Sequence, residues 1–294
     1  MKKEIRIGTR ESLLAVAQAQ LVRQHIITHH PDVRTELVKI KTTGDKILDQ
    51  PLDQIGGKGL FVKELERALL ENRIDLAVHS LKDMPMEEDE DYPILGFSHR
   101  ELPNDVLVLP QGCRKIDLSK PIGTSSPRRI LQLQKIYPGC QTKMVRGNIV
   151  TRLRKLDDGE YGSLVLAAAG LIRLGMEERM NRQFTTEEMV PAAGQGILAV
   201  QGRRDFDSSL LYGFFDEDAK QQALAERSFV SAFGGGCSLA AAAYASVSGN
   251  EITLTGLLEG DREHLVETAA LTARKEDAIL LGNRLAEIMR NMLA

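Results

Sequence analysis

Asp75-Leu76-Ala77-Val78-His79-Ser80 is a short run, apolar at nearly every inner position. A strand of that kind is covered on both faces, as strands of parallel sheets are. Upstream, Ile5-Arg6-Ile7 alternates like a strand, and Thr9-Arg10-Glu11-Ser12 leads into a helix whose Leu14, Ala17, Leu21 and Val22 share one face. Leu37-Val38-Lys39-Ile40 is the next strand, and Gly56-Gly57-Lys58-Gly59 precedes a helix with Val62, Leu65 and Leu69 on one stripe. Strand, helix, strand, helix, strand spells an α/β fold.

A second α/β unit follows, with strands near Val106-Leu107-Val108-Leu109, Met144-Val145 and Leu164-Val165-Leu166-Ala167 and helices after Ser126 and Asn148. Pro127 suits the first helical position, which has no intrahelical use for an N–H. Ile197 to Gln201 is another strand. If it returns to the first sheet, the opening domain is discontinuous and two crossing segments form a hinge. The last part is a small α+β domain. It has a helix from about Ala219, a Gly triplet, strands near Ala242–Val247, Ile252–Leu258 and Leu265–Thr272, a turn at Gly249-Asn250, and a closing helix near Glu276. The expected domains are residues 1–98 with 197–216, residues 99–196, and residues 217–294. The acidic run Glu87-Glu88-Asp89-Glu90-Asp91 reads as an exposed loop.

The length of 294 residues suits two or three domains, and 43% hydrophobic with 27% charged residues is a soluble globular balance. No stretch approaches the roughly 20 apolar residues that cross a bilayer, and Met1-Lys2-Lys3-Glu4 runs directly into a strand pattern, so a cytoplasmic location without membrane attachment is expected. Cys113, Cys140 and Cys237 are odd in number, far apart and without metal-ligand spacing, which indicates neither a disulfide framework nor a metal site.

Between Lys120 and Lys155 lie nine cationic side chains and no carboxylate, although the whole chain carries −3. A cationic run is ordinarily a solvated face. Here the cations fall in two turns, Gly123-Thr124-Ser125-Ser126-Pro127-Arg128-Arg129 and Arg146-Gly147-Asn148-Ile149-Val150-Thr151-Arg152, each reading as a loop that opens a helix. Such a turn aims backbone N–H groups and arginine forks at an anion. A nucleic-acid stripe is disfavoured by the pI of ≈ 6.1, 4% aromatic content and the lack of Trp. A small polyanion fits better.

Ligands of open α/β sheets bind beyond the carboxyl ends of strands, which singles out Ser80-Leu81-Lys82-Asp83. A carboxylate among cations stays ionised and can accompany a cation formed in a reaction, and Asp83 is the candidate for that role. Gly56-Gly57-Lys58-Gly59 is not a nucleotide phosphate loop; it reads as a flap that lends Lys58 to the ligand. Gly234-Gly235-Gly236-Cys237 places a thiol on an exposed glycine turn, where neighbouring positive charge favours the thiolate and covalent attachment.

Together these residues resemble the porphobilinogen deaminase (hydroxymethylbilane synthase) family. The resemblance runs through Gly8–Ser12, Gly56–Leu65, His79–Asp83, Gly123–Ser126, Arg128-Arg129, Arg146–Asn148, Leu166–Leu171, Pro191–Gly196 and Gly235–Cys237. It implies two domains like type II periplasmic binding proteins, joined by a two-segment hinge, and a third α+β domain carrying the cysteine. It also implies condensation of four porphobilinogens to hydroxymethylbilane with loss of ammonia, by a monomer that holds a dipyrromethane cofactor on Cys237 through a thioether. Carried over residue by residue, Asp83 stabilises the cationic azafulvene. Arg10, Ser12, Lys58, Ser80, Lys82, Thr124, Ser125, Ser126, Arg128, Arg129, Arg146, Gly147, Asn148 and Arg152 bind cofactor and substrate, and Gln195 lies on the hinge return. Three departures stand out: Ser238-Leu239-Ala240 after the cysteine, Pro127 where Leu is more usual, and Gln201 where an acid is frequent. The competing reading is a solute-binding module without catalysis, which would have no need of Cys237.

Overall fold

The computed structural model describes residues 4–42, 62–87, 89–234, 240–260 and 266–293. The chain divides into two compact units, Met1–Glu101 with Ile197–Lys220, and Leu102–Gly196 with Gln221–Ala294. In order come β1 (Glu4–Arg10), α1 (Leu13–His29), β2 (Arg34–Ile40), α2 (Lys63–Leu70), β3 (Leu76–Ser80) and β4 (Ile94–Phe97). The next segment forms β5 (Asp105–Val108), β6 (Ile122–Gly123), α3 (Pro127–Ile136), β7 (Thr142–Lys143), α4 (Ile149–Asp157), β8 (Ser163–Ala167), α5 (Ala168–Ile172) and β9 (Arg182–Gln183). Then follow β10 (Leu198–Gly202), α6 (Glu217–Ser231), β11 (Ala241–Ser248), β12 (Glu251–Glu259), β13 (Val266–Arg274) and α7 (Ala278–Leu293).

The first sheet has the order β2-β1-β3-β10-β4, so β10 does return to it. β1 is parallel to β2 and β3, whereas β10 runs antiparallel to both β3 and β4. Alternation along β3 explains its double burial. Leu76 and Val78 join Ile5, Ile7, Leu198 and Val200 against Val22 and Ile26 of α1, while Ala77 meets Leu65, Ala68 and Leu69 of α2. The face that α1 buries is Ala15, Gln18, Ala19, Val22 and Ile26, so of the expected Leu14, Ala17, Leu21 and Val22 face only Val22 is buried, and Leu21 is 47% exposed. Apolar residues lie on more than one side of this helix, so its periodicity alone does not decide which face packs on the sheet.

The second sheet, β7-β6-β8-β5-β9, repeats the plan, with β6 parallel to its neighbours and β5 antiparallel to its own. Val106 and Val108 pack with Leu153 and Leu156 of α4, and Leu107 packs with Leu133 of α3. The strand expected at Met144-Val145 lies one pair earlier, at Thr142–Lys143. Val145 instead turns its backbone N–H to Ser125 Oγ at 3.1 Å.

The third sheet, β11-β12-β13, is antiparallel, and Gly249 at φ +60° makes the first turn. A Cβ on Gly282 of α7 would stand 2.4 Å from the Ala225 carbonyl oxygen, so only glycine permits this approach of α7 to α6. The residues Glu87, Asp89, Glu90 and Asp91 are exposed. Among the described residues no helix is long and apolar enough to cross a membrane.

Candidate active site

In the first unit the site grows from the carboxyl ends of β1 and β3. Arg10 ends β1, and Ser12 caps α1 by accepting the Ala15 N–H at 3.3 Å. Ser80 ends β3 and accepts from Gln18 Nε2 at 2.8 Å, tying that strand to α1. The chain then makes one 3₁₀ turn, Leu81–Asp83, whose start is fixed by the Leu81 N–H on the Ile197 carbonyl at 3.0 Å. Leu81 is buried as the anchor of the turn, Lys82 is half-buried and Asp83 is exposed. Arg10, Gln18, His79, Ser80 and Asp83 line one small recess together with Ala15, Val62 and Val78. Among the described residues the Asp83 carboxylate makes no hydrogen bond or ion pair. Lys58 lies outside the described residues.

In the second unit the two expected turns do open helices. Ser125 Oγ donates to the Val145 carbonyl at 2.7 Å, the Ser126 N–H donates to Thr124 Oγ1 at 3.3 Å, and Thr124 is buried. Pro127 takes the first position of α3, and Ser126 gives that helix no side-chain cap. At the second turn Asn148 accepts the Thr151 N–H at 2.9 Å, and Arg152 Nε donates to the Gly147 carbonyl at 2.8 Å. Gly147 sits at φ +110°, where an added Cβ would also meet Thr151 Cγ2 at 2.8 Å. Arg146 and Arg152 are half-buried.

Arg128 and Arg129 lie otherwise than the acid-free window suggests. Both are buried, and both grip Asp105 at the start of β5: Arg128 at 2.6 and 3.2 Å, Arg129 at 2.7 and 3.1 Å. Arg128 also reaches the Val190 carbonyl and Gln195 Oε1, while Gln195 Nε2 returns to Asp105 at 3.1 Å. Burial pushes the Asp105 carboxyl up, but the charges of Arg128 and Arg129 and their hydrogen bonds outweigh it and hold the group well below the usual carboxylate range. Sequence reasoning missed Asp105. The signal for it was an Asp opening a buried apolar strand, Asp105-Val106-Leu107-Val108, just as Asp75 opens β3 and is held by the Arg6 N–H and guanidinium. Arg173, which donates to the Gly196 carbonyl at 2.6 Å, was missed too and carried no local signal.

The same cluster fixes the third sheet. Val190, held by Arg128 and by Gln132 at 2.6 Å, packs on Ala242 and Leu257. Glu226 of α6, fully buried, accepts the Gly194 N–H at 2.6 Å and the Ala245 N–H at 2.7 Å. The stretch from α6 to β11 contains Cys237, which lies outside the described residues along with Gly235, Gly236, Ser238 and Leu239. Of the other thiols, Cys113 is exposed, and Cys140 is buried with its pKa pushed up by that burial. Among the described residues no group of His, Cys, Asp and Glu is suited to hold a metal ion.

Comparison with known proteins matches residues 5–210 to the family model described as "Porphobilinogen deaminase, dipyromethane cofactor binding domain" and residues 220–291 to "Porphobilinogen deaminase, C-terminal domain". A porphobilinogen deaminase of Acetivibrio thermocellus is 54% identical over 283 residues, 96% of this chain and 97% of that one. One from Alkaliphilus oremlandii is 50% identical over 287 residues, 98% of this chain and 97% of that one. Among solved structures, the periplasmic aliphatic sulphonate binding protein SsuA from Escherichia coli aligns with a TM-score of 0.41 at 10% identity, over 80% of this chain and 71% of that one. The solute-binding reading without catalysis is not favoured, since the matching relatives are deaminases along nearly the whole chain.

Proposed function

Since the chain belongs to the porphobilinogen deaminase family, we propose that its two units divide the work of that family's reaction, the first supplying the catalytic carboxylate and the second most of the anion-binding donors. The chain is a transferase of tetrapyrrole synthesis that joins four porphobilinogens head-to-tail into hydroxymethylbilane and releases ammonia. Its cofactor is a dipyrromethane. When bound, that group supplies the pyrrole carbon to which the first substrate unit is joined.

The donor set suits the cofactor and the substrate. Each pyrrole brings an acetate and a propionate, and α3 begins with Pro127 and no side-chain cap, so the Arg128 N–H of its first turn suits a carboxylate oxygen. Ser125, Ser126, Arg146, Gly147, Asn148 and Arg152 hold carboxylates at the starts of α3 and α4. Arg10, Ser12, Ser80 and Lys82 do so in the first unit, with Lys58 lent by the glycine segment before α2. Arg129 and Thr124 support the α3 turn, and Arg128 with Gln195 forms its buried base on Asp105. Cys237 carries the cofactor through a thioether, and the protein acts as a cytoplasmic monomer, to be checked by light scattering.

The observation that carries this reading is Asp83: an exposed carboxylate on a short 3₁₀ turn, in one recess with Arg10 and Ser80. Loss of ammonia from the aminomethyl group leaves a cation, and a carboxylate already in place stabilises it without reorganisation. Asp83 also takes and returns protons at the pyrrole nitrogen. Asp83→Asn is expected to keep its cofactor, seen as an intact mass raised by two porphobilinogens less two ammonias, while turnover falls by at least ~10²-fold. Near-normal turnover in a cofactor-loaded Asp83→Asn protein removes Asp83 from the mechanism. A wild-type mass equal to that of the bare polypeptide, or a Cys237→Ser protein that keeps the increment, removes Cys237.

A further inference from the structure

Ala199 pairs with His79 and Gln201 with Ala77 across β3 and β10, so His79 and Gln201 are diagonal neighbours on the face that meets α2. Both are buried, and the hydrogen bonds around them leave one arrangement. Gln201 Nε2 donates to Glu66 Oε1 at 3.0 Å and to the Tyr92 carbonyl at 2.7 Å. Both partners are acceptors, so the amide must turn its NH₂ toward them and its oxygen toward His79 Nε2, 3.1 Å away. That oxygen can only accept, hence His79 Nε2 bears the proton. In the neutral ring Nδ1 is then the lone-pair nitrogen.

His79 also lines the recess that holds Arg10, Ser80 and Asp83. Among the described residues the charged groups around it are Arg10 of β1, Asp83 of the turn after β3 and, through Gln201, Glu66 of α2; Gln18 of α1 and Ser80 are neutral. Burial lowers the imidazole pKa to about 4, the Gln201 bond opposes this, and Arg10 adds to it. A carboxylate in place of the amide would make the bond charge-assisted and favour imidazolium. The amide accepts the same proton without adding negative charge.

We propose that Gln201 is a positioning residue that fixes His79 as the neutral Nε2–H imidazole beside Asp83, so that no second cation joins Arg10 where the reaction builds positive charge. An imidazolium there would cancel part of the field with which Asp83 steadies the cation. The proposal rests on the Asp83 assignment above, and its test reads the histidine directly.

In the holoenzyme, imidazole nitrogen NMR, with the His79 signals assigned by their loss in His79→Asn, is expected to give an Nε2–H tautomer titrating near pH 4. The kcat profile is expected to lack a histidine ionisation between about pH 5.5 and 8. The double variant Glu66→Gln/Gln201→Glu keeps the charge count and moves the carboxylate onto the imidazole. It should raise the His79 midpoint by about 1.5 units or more and give kcat a new ionisation, with roughly tenfold loss on its acid side and a smaller change in KM. Adding His79→Asn should abolish that ionisation. A wild-type Nδ1–H tautomer, a wild-type midpoint near the ordinary 6.5, a midpoint unmoved in the double variant, or an unchanged kcat profile despite a raised midpoint would each overturn the proposal. If the double variant does not fold, the wild-type tautomer and midpoint decide. Normal turnover in Asp83→Asn sinks the Asp83 reading instead and leaves the histidine titration unchanged.

Discussion

At Asp105 one buried carboxylate is shared by two guanidiniums and an amide. Removing its charge takes away the counter-charge that both buried guanidiniums grip, so Asp105→Asn should lose about 3–5 kcal/mol of stability in urea unfolding. Its folded pKa lies below the unfolded value. The stability it contributes is therefore complete above about pH 4 and is lost as pH falls through the folded pKa. His79 acts in a higher window. Its folded pKa of about 4 lies below the ordinary 6.5, so the unfolded chain binds the extra proton between those values. The neutral buried ring contributes fully above pH 6.5 and costs roughly 3 kcal/mol by pH 4. Urea unfolding at about pH 5 and 7 should show this loss, and His79→Asn should lack it. The positions of Asp83, Ser12 and Asn148 were legible because they are local: the turn after a strand end and two caps. Arg128 and Arg129 were not, because the acid that neutralises them lies 23 and 24 positions away and chain order hides it. Gln201, for which the sequence offered no reason, makes sense only once β10 lies beside β3.

The starts of α3 and α4 depend on backbone shape as much as on charge. Gly147→Ala forces a side chain onto φ +110° and into Thr151, which should cost about 1–3 kcal/mol and weaken porphobilinogen binding more than it slows turnover. Calorimetry with substrate and thermal unfolding check the two effects. Asn148→Ala removes the cap on the Thr151 N–H, which should cost about 1 kcal/mol of stability apart from any loss of carboxylate binding. The longer elements were readable from period and capping residues, as with β3, β5, β8 and the helix after Pro127. The two-residue strands β6, β7 and β9 were not, since so short a stretch has no period and exists only because a neighbour supplies its hydrogen bonds. The helical face of α1 was misread for the opposite reason. It has apolar residues on more than one side, and only packing decides among them.

Both large sheets set an antiparallel strand between the third parallel-type position and the edge, β10 in one and β5 in the other. The repetition was legible in outline, as two rounds of strand and helix, and residues 197–216 were expected with the first domain, but which strands flank β10 was not legible, because pairing across 118 to 126 positions leaves no local trace. A chain ending at Gly196 lacks the strand that joins β3 to β4. Its Leu76–Ser80 amides should exchange with deuterium at least ~10²-fold faster than in the full chain, and protection close to that of the full chain would show that β10 is dispensable. The wait for β10 also bears on synthesis. The second sheet draws all its strands from Asp105–Gln183 and can close as soon as they leave the ribosome, whereas β3 and β4 emerge early with backbone edges bare. Of the two large sheets, the one begun first is the one completed later, and its nascent edges are where a chaperone has most to shield.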